Sequence, residues 1–255
     1  MISLRSNFIL LVCVVILLGC NQKELRSIEG ELQKEIAEQL SDHKTTVQSS
    51  EIPVLEKQMI EQNLVNVEEV VPGIRVELKY STEDNFFGED VYGELIHAYL
   101  QPEVAESLKK AQQQLQSEYP DYTLLIYDGA RPLSVQQILW DNLDKPDSIK
   151  PLYVADPKLG SLHNYGVAVD LTIYDTSKSE PLDMGTGYDF FGYAAYPDRE
   201  SQMLEEGVIS SAQIANREIL RKVMTNSGFM GIGSEWWHFN AFSRKEAGEK
   251  FQIIK

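Results

Sequence analysis

Residues 161–174 read Ser161-Leu162-His163-Asn164-Tyr165-Gly166-Val167-Ala168-Val169-Asp170-Leu171-Thr172-Ile173-Tyr174, and the fold is decided in this stretch. From Val167 onward the chain alternates. Val167, Val169, Leu171 and Ile173 share one face, while Ala168, Asp170, Thr172 and Tyr174 share the other, which is the two-residue period of a strand. Working outward, Tyr122 to Tyr127 predicts a short apolar strand. The alternation of Ile74 to Tyr80, after the turn at Val71-Pro72-Gly73, predicts another. Pro102 opens a helix with Ala105, Leu108, Ala111 and Leu115 on one face, and Pro132 opens a second that runs to about Leu143. Ser210 or Ser211 caps a third that reaches about Asn226, with Gly228 past its end. Trp236 to Phe242 predicts a closing aromatic strand. Strands and helices mix without regular βαβ alternation. The expectation is therefore one α+β domain over 64–255, with a largely antiparallel central sheet flanked by helices.

The chain before residue 64 is of a different kind. Arg5 precedes an unbroken apolar run from Phe8 to Leu18, too short for the roughly 20 residues that span a bilayer. It reads as a signal-peptide core over residues 1–19. Its end, Leu17-Leu18-Gly19-Cys20, resembles the lipobox of bacterial lipoproteins, which implies cleavage before Cys20 and lipidation of that thiol. The alternatives are an uncleaved anchor and an ordinary secretory signal. Cys13 and Cys20 are the two cysteines, so a domain beginning at residue 64 holds neither a disulfide nor a thiolate metal ligand. Residues 20–63 then form a charged tether, with Leu25, Ile28, Leu32, Ile36 and Leu40 at helical spacing.

Net charge narrows the partners. The 255 residues carry −16, and loss of Arg5 with the signal takes this to −17. Such a chain lacks the basic face that nucleic acid demands. Anionic headgroups would repel it, so membrane attachment rests on acyl chains at Cys20. The expected location is the bacterial cell envelope, lipid-anchored and periplasmic, and Asn21 after the anchor suggests sorting to the outer membrane where the host has two membranes. No protein partner is read from the sequence.

Chemistry concentrates on few residues. His163 precedes the strand and Asp170 lies within it, with Gly166 between them permitting a tight backbone path. An unpaired carboxylate in an apolar strand is costly, and a metal ion would neutralise it. A structural ion pair is the competing account. The second context is Glu235-Trp236-Trp237-His238-Phe239. A regular strand sends Glu235 and His238 to opposite faces, whereas a bulge or a strand start converges them. Catalytic zinc takes three protein ligands and one water. His163, Asp170 and His238 supply the three and Glu235 the base, with two tryptophans to exclude water. Arg131, in Asp128-Gly129-Ala130-Arg131-Pro132, sits at a strand-to-helix junction suited to an oxyanion or a carboxylate. His43 falls in the tether, and His97 reads as a packed or surface residue.

The Ser-x-His-x-x-Gly-x-Ala-x-Asp string at 161–170, with Glu-x-x-His at 235–238 and Asp-Gly-x-Arg-Pro at 128–132, resembles the zinc signature of the D-alanyl-D-alanine peptidases. Two further stretches resemble the VanX-type dipeptidases of that family. These are Tyr80-Ser81-Thr82-Glu83-Asp84-Asn85-Phe86-Phe87-Gly88 and Met184-Gly185-Thr186-Gly187-Tyr188-Asp189. The resemblance covers about 64–242. One departure is Ala130, where the dipeptidases often carry an aromatic. The resemblance implies one Zn2+ per chain on His163, Asp170 and His238, Glu235 as general base and Arg131 as catalytic arginine. It further implies Asp189 on the ammonium of a small D-amino-acid dipeptide, and a substrate contact for Ser161. The alternatives are a D,D-carboxypeptidase or peptidoglycan endopeptidase with the same zinc site, and a non-catalytic lipoprotein that binds cell-wall peptide.

Overall fold

The computed structural model describes residues 52–255. The expected signal segment, with Cys20, Asn21 and His43, lies outside the described residues.

The central sheet runs in the order β2 (Arg75–Val76), β4 (Tyr122–Asp128), β5 (Ala168–Asp175), β8 (His238–Asn240), β7 (Met230–Gly231), with β6 (Glu180–Pro181) pairing onto β5. Only the β2–β4 pair is parallel, so the sheet is largely antiparallel as predicted. A separate two-stranded ladder joins β1 (Val65–Asn66) to β3 (Tyr99–Leu100). The helices are α1 (Val54–Glu61), α2 (Val67–Val70), α3 (Pro102–Glu118), α4 (Leu133–Asn142), α5 (Glu200–Glu205), α6 (Ser211–Asn226) and α7 (Arg244–Lys250).

Helix α3 begins with Pro at its first turn, and its buried stripe includes Val104, Ala105, Leu108, Ala111 and Leu115. That stripe packs on β4 and on α6. Helix α6 is capped by Ser210, whose side chain accepts from Gln213 N while the Gln213 side chain returns to Ser210 N. Both faces of β5 are covered: Val169, Leu171 and Ile173 are buried, and so are Ala168, Asp170 and Thr172. The face that carries Asp170 is thus the floor of a cavity, not a solvent surface.

Three boundaries differ from the sequence reading. Met59 on α1 joins the core, and Tyr99 OH donates to Glu56, so packed chain begins upstream of residue 64. The strand predicted over 74–80 shrinks to two residues. Glu77 N still donates to Ile126 O of β4 (2.9 Å), and Lys79–Ser81 then turns as a short 3-10 helix that buries Tyr80. The closing strand is likewise cut to His238–Asn240. Ser243 then caps α7 by a reciprocal bond with Glu246, a helix that the aromatic pattern did not announce.

Candidate metal centre and substrate cavity

Strand register builds the centre. Asp170 on β5 lies opposite His238 on β8 and, on its other side, opposite Asp128 on β4. A register shift between Ile126 and Asp128 brings Asp128 into that position. His163 enters from the 3-10 turn Leu162–Tyr165, which Ser161 caps and Gly166 closes at φ 68°. The left-handed φ favours glycine there, and a Cβ would in addition stand 2.8 Å from Leu64 Cδ2 and push that side chain aside. The turn is laced to the arginine segment: Arg131 N donates to His163 O (3.0 Å) and Asn164 Nδ2 to Arg131 O (2.7 Å). From below, Ile254 N in the C-terminal tail donates to Asn164 O (2.8 Å).

Three donor atoms converge. His163 Nε2 is 3.2 Å from His238 Nδ1, His238 Nδ1 is 2.9 Å from Asp170 Oδ1, and His163 Nε2 is 3.4 Å from Asp170 Oδ1. Tetrahedral ligands at bonds of about 2.0–2.1 Å stand roughly 3.3 Å apart, so the triangle fits zinc. The outer hydrogen bonds fix which nitrogens face inward. His163 Nδ1 donates to Gly129 O (2.7 Å) and His238 Nε2 to Asn240 Oδ1 (2.9 Å), which leaves His163 Nε2 and His238 Nδ1 with lone pairs toward Asp170. Tyr188 OH donates to the other Asp170 oxygen (3.0 Å).

So many inward lone pairs call for a cation. Burial alone would lower the His238 pKa, but the hydrogen bond and charge of Asp170 outweigh it and push it up to about 9. Burial would raise the pKa of Asp170, yet His163 and His238 hold that carboxyl well below its ordinary range. Without an ion, the triad keeps a proton in its place.

Glu235 ends just before β8 begins, and its Oε2 comes within 3.9 Å of His238 Nδ1. The strand start, not a regular strand, makes them converge. Burial raises its pKa and Asp170 adds to this, against the charge of His238. Arg131 is buried, with Nε and Nη2 on Asp128 Oδ2 (2.9 and 2.5 Å) and Nη1 on Gln136 Oε1 (3.0 Å). Burial would lower its pKa, but Asp128 holds it well above the ordinary value. Its Nη2 lies 3.9 Å from Asp170 Oδ2.

Asp189 adopts a left-handed φ of 57°, uncommon for a residue with a side chain, and accepts from Tyr80 OH (3.1 Å). Burial, reinforced by Asp170 and Glu235, raises its pKa well above the ordinary range. A carboxyl so placed gains its charge back when a cationic group arrives beside it. Ser161 lines the same cavity, of about 350 Å³, while its Oγ accepts from His163 N (3.3 Å). Trp237 walls the cavity and packs edge-on against Tyr188. Trp236 is turned away, donating to Thr186 Oγ1 (2.8 Å).

All of the site residues predicted between 131 and 238 line this one cavity. His97 does not; it pairs with Glu68 at 2.7 Å. Sequence reasoning missed the roles of Asp128, Gln136, Tyr188 and Asn240. A signal existed for Asn240, which stands two residues after His238 and so on the same face of the strand.

A family model described as D-ala-D-ala dipeptidase matches residues 60–253. Among curated relatives, the D-alanyl-D-alanine dipeptidase of Escherichia coli (strain K12) is 37% identical over 179 residues, covering 69% of this chain and 83% of the relative. That of Enterococcus faecium is 34% identical over 190 residues, covering 68% and 88%. That of Enterococcus faecalis (strain ATCC 700802 / V583) is 31% identical over 197 residues, covering 71% and 92%.

Proposed function

The chain belongs to the D-Ala-D-Ala dipeptidase family, and from this we propose that it hydrolyses D-alanyl-D-alanine, or a closely related small dipeptide, with one zinc ion on His163, Asp170 and His238. The observation that carries the reading is the triangle of inward donor atoms with edges of 2.9, 3.2 and 3.4 Å, with Glu235 beside it.

A zinc ion held by His163, Asp170 and His238 would supply Lewis acidity, lowering the pKa of the attacking water and polarising the scissile carbonyl. The protein's own groups do the rest. Glu235 takes the proton of the attacking water and returns it to the leaving amine, a task suited to a carboxyl whose pKa is raised. Arg131 stabilises the carbonyl oxygen as it gains negative charge, its guanidinium held ready by Asp128 and Gln136. Asp189 pairs with the substrate ammonium and Tyr80 orients Asp189. Trp237 keeps bulk water from these charges. The reading of residues 1–20 supports a location in the bacterial envelope, anchored through lipid on Cys20.

The test is release of D-alanine from D-alanyl-D-alanine by the zinc-loaded full chain. Glu235→Gln should lower kcat by about 10²–10⁴ while zinc still binds. Undiminished release by that variant sinks the assignment of Glu235. Faster cleavage of the N-acetylated dipeptide or of a pentapeptide stem would replace the dipeptidase reading with a carboxypeptidase.

A further inference from the structure

Among the described residues the cavity holds three carboxylates, Asp170, Asp189 and Glu235, but besides the ligand histidines only two cations, Arg131 and Arg244. Their situations differ. Arg131 has given Nε and Nη2 to Asp128 and Nη1 to Gln136. Arg244, the first residue of α7, is exposed and meets no carboxylate among the described residues. Its Nη1 donates to two carbonyls, Leu159 O (2.8 Å) and Gly160 O (2.9 Å). Those two bonds pin the guanidinium at the cavity edge, while among the described residues Nε and Nη2 have no hydrogen-bond partner.

Resting on the dipeptidase reading above, we infer that Arg244 binds the carboxylate of the substrate's C-terminal residue and so sets a preference for free dipeptide acids. A zwitterionic dipeptide carries one charge at each end, and the cavity offers the opposite charges on separate walls. Asp189 is bonded to Tyr80, which follows β2, whereas Arg244 follows β8. In the sheet order β2-β4-β5-β8 these lie on opposite flanks of the β4–β5 pair that carries Asp128 and Asp170. A planar guanidinium already fixed by one nitrogen presents its remaining N–H groups to a carboxylate at little further ordering cost. Ser161 directly follows the gripped Gly160 and lines the cavity. Its hydroxyl proton therefore lies at the same end, available to the same carboxylate.

The experiment compares kcat/KM of the zinc-loaded full chain for D-alanyl-D-alanine and for its C-terminal amide, in wild type and in Arg244→Gln. The wild type should favour the acid by about tenfold or more, the lower end for a hydrogen bond to a charged group. Arg244→Gln should lose that factor on the acid and change little on the amide, so the preference collapses. A purely structural role, as a clasp on residues 159–160, would depress both substrates together. The acid-over-amide ratio surviving in Arg244→Gln overturns the inference. If that variant does not fold, the wild type alone suffices, because equal cleavage of acid and amide also overturns it. If the wild type cleaves neither compound, the dipeptidase reading fails. Titration calorimetry then decides Arg244 separately: the acid binding no tighter than the amide refutes the contact.

Discussion

Zinc and protons should compete for His238, and the competition has a calculable size. In the metal-free protein Asp170 raises the His238 pKa to about 9, against about 6.5 in an unfolded chain. A zinc ion bound through Nδ1 must displace that proton. Between pH 6 and 8 the apparent zinc affinity should therefore rise about tenfold per pH unit from this group, and level off above pH 9. The metal-free fold should show the opposite trend. A base whose folded pKa is raised contributes stability that is fully present below its unfolded value and lost as pH climbs through the folded one. From pH 6.5 to above pH 9 the metal-free protein should thus lose on the order of 3 kcal/mol, from roughly 2.5 pK units at 1.36 kcal/mol each. Thermal unfolding of zinc-free and zinc-loaded protein at pH 6.5 and 9.5, with chelator-buffered zinc titrations, reads both trends. A zinc affinity flat from pH 6 to 8, or a metal-free protein equally stable at both pH values, would refute the reasoning that Asp170 and His238 share a proton where the metal belongs.

Other perturbations probe different links. Asp189→Asn keeps the shape but removes the charge, so kcat/KM for a free dipeptide should fall by about 10–100-fold, the range of a charge-assisted hydrogen bond. The N-acetylated dipeptide should be cleaved no worse than by the wild type, and an equal fall on both substrates counts against ammonium recognition. Asn240→Ala removes the acceptor of His238 Nε2 and should weaken zinc binding about 10–100-fold, read by the same chelator titration; unchanged affinity would show that the tautomer is held otherwise. Leu108→Ala opens a void in the fully buried stripe of α3 and should cost about 2–5 kcal/mol in denaturant unfolding, with kcat per folded molecule unchanged.

Much of the site was legible before any coordinates, because its residues are tied to local signals. Asp170 announced itself as a charge inside an apolar strand, and Gly166 as the hinge of the turn beside it. Helices α3, α4 and α6 were readable from Pro102, Pro132 and Ser210, since caps and apolar stripes act within a few residues of the chain. The short strands β2 and β8 were overestimated for the opposite reason. A strand extends only as far as a neighbour offers hydrogen bonds, and that is a property of the partner. Helix α7 escaped notice because its cap, Ser243 with Glu246, follows an aromatic run that reads as strand.

What the sequence determined by itself is the inventory: which imidazoles and carboxylates are available, and the local geometry that aims each one. What only the tertiary structure decided is their company. Asp128 and His238 flank Asp170 because the register of three strands sets them side by side. Arg244 is set at the cavity edge because its guanidinium reaches back to Leu159 O and Gly160 O. The strand pairings around Asp170 join residues up to 68 positions apart. Local propensity acts within a few residues, and only the closing of the chain on itself brings such distant groups within hydrogen-bond range.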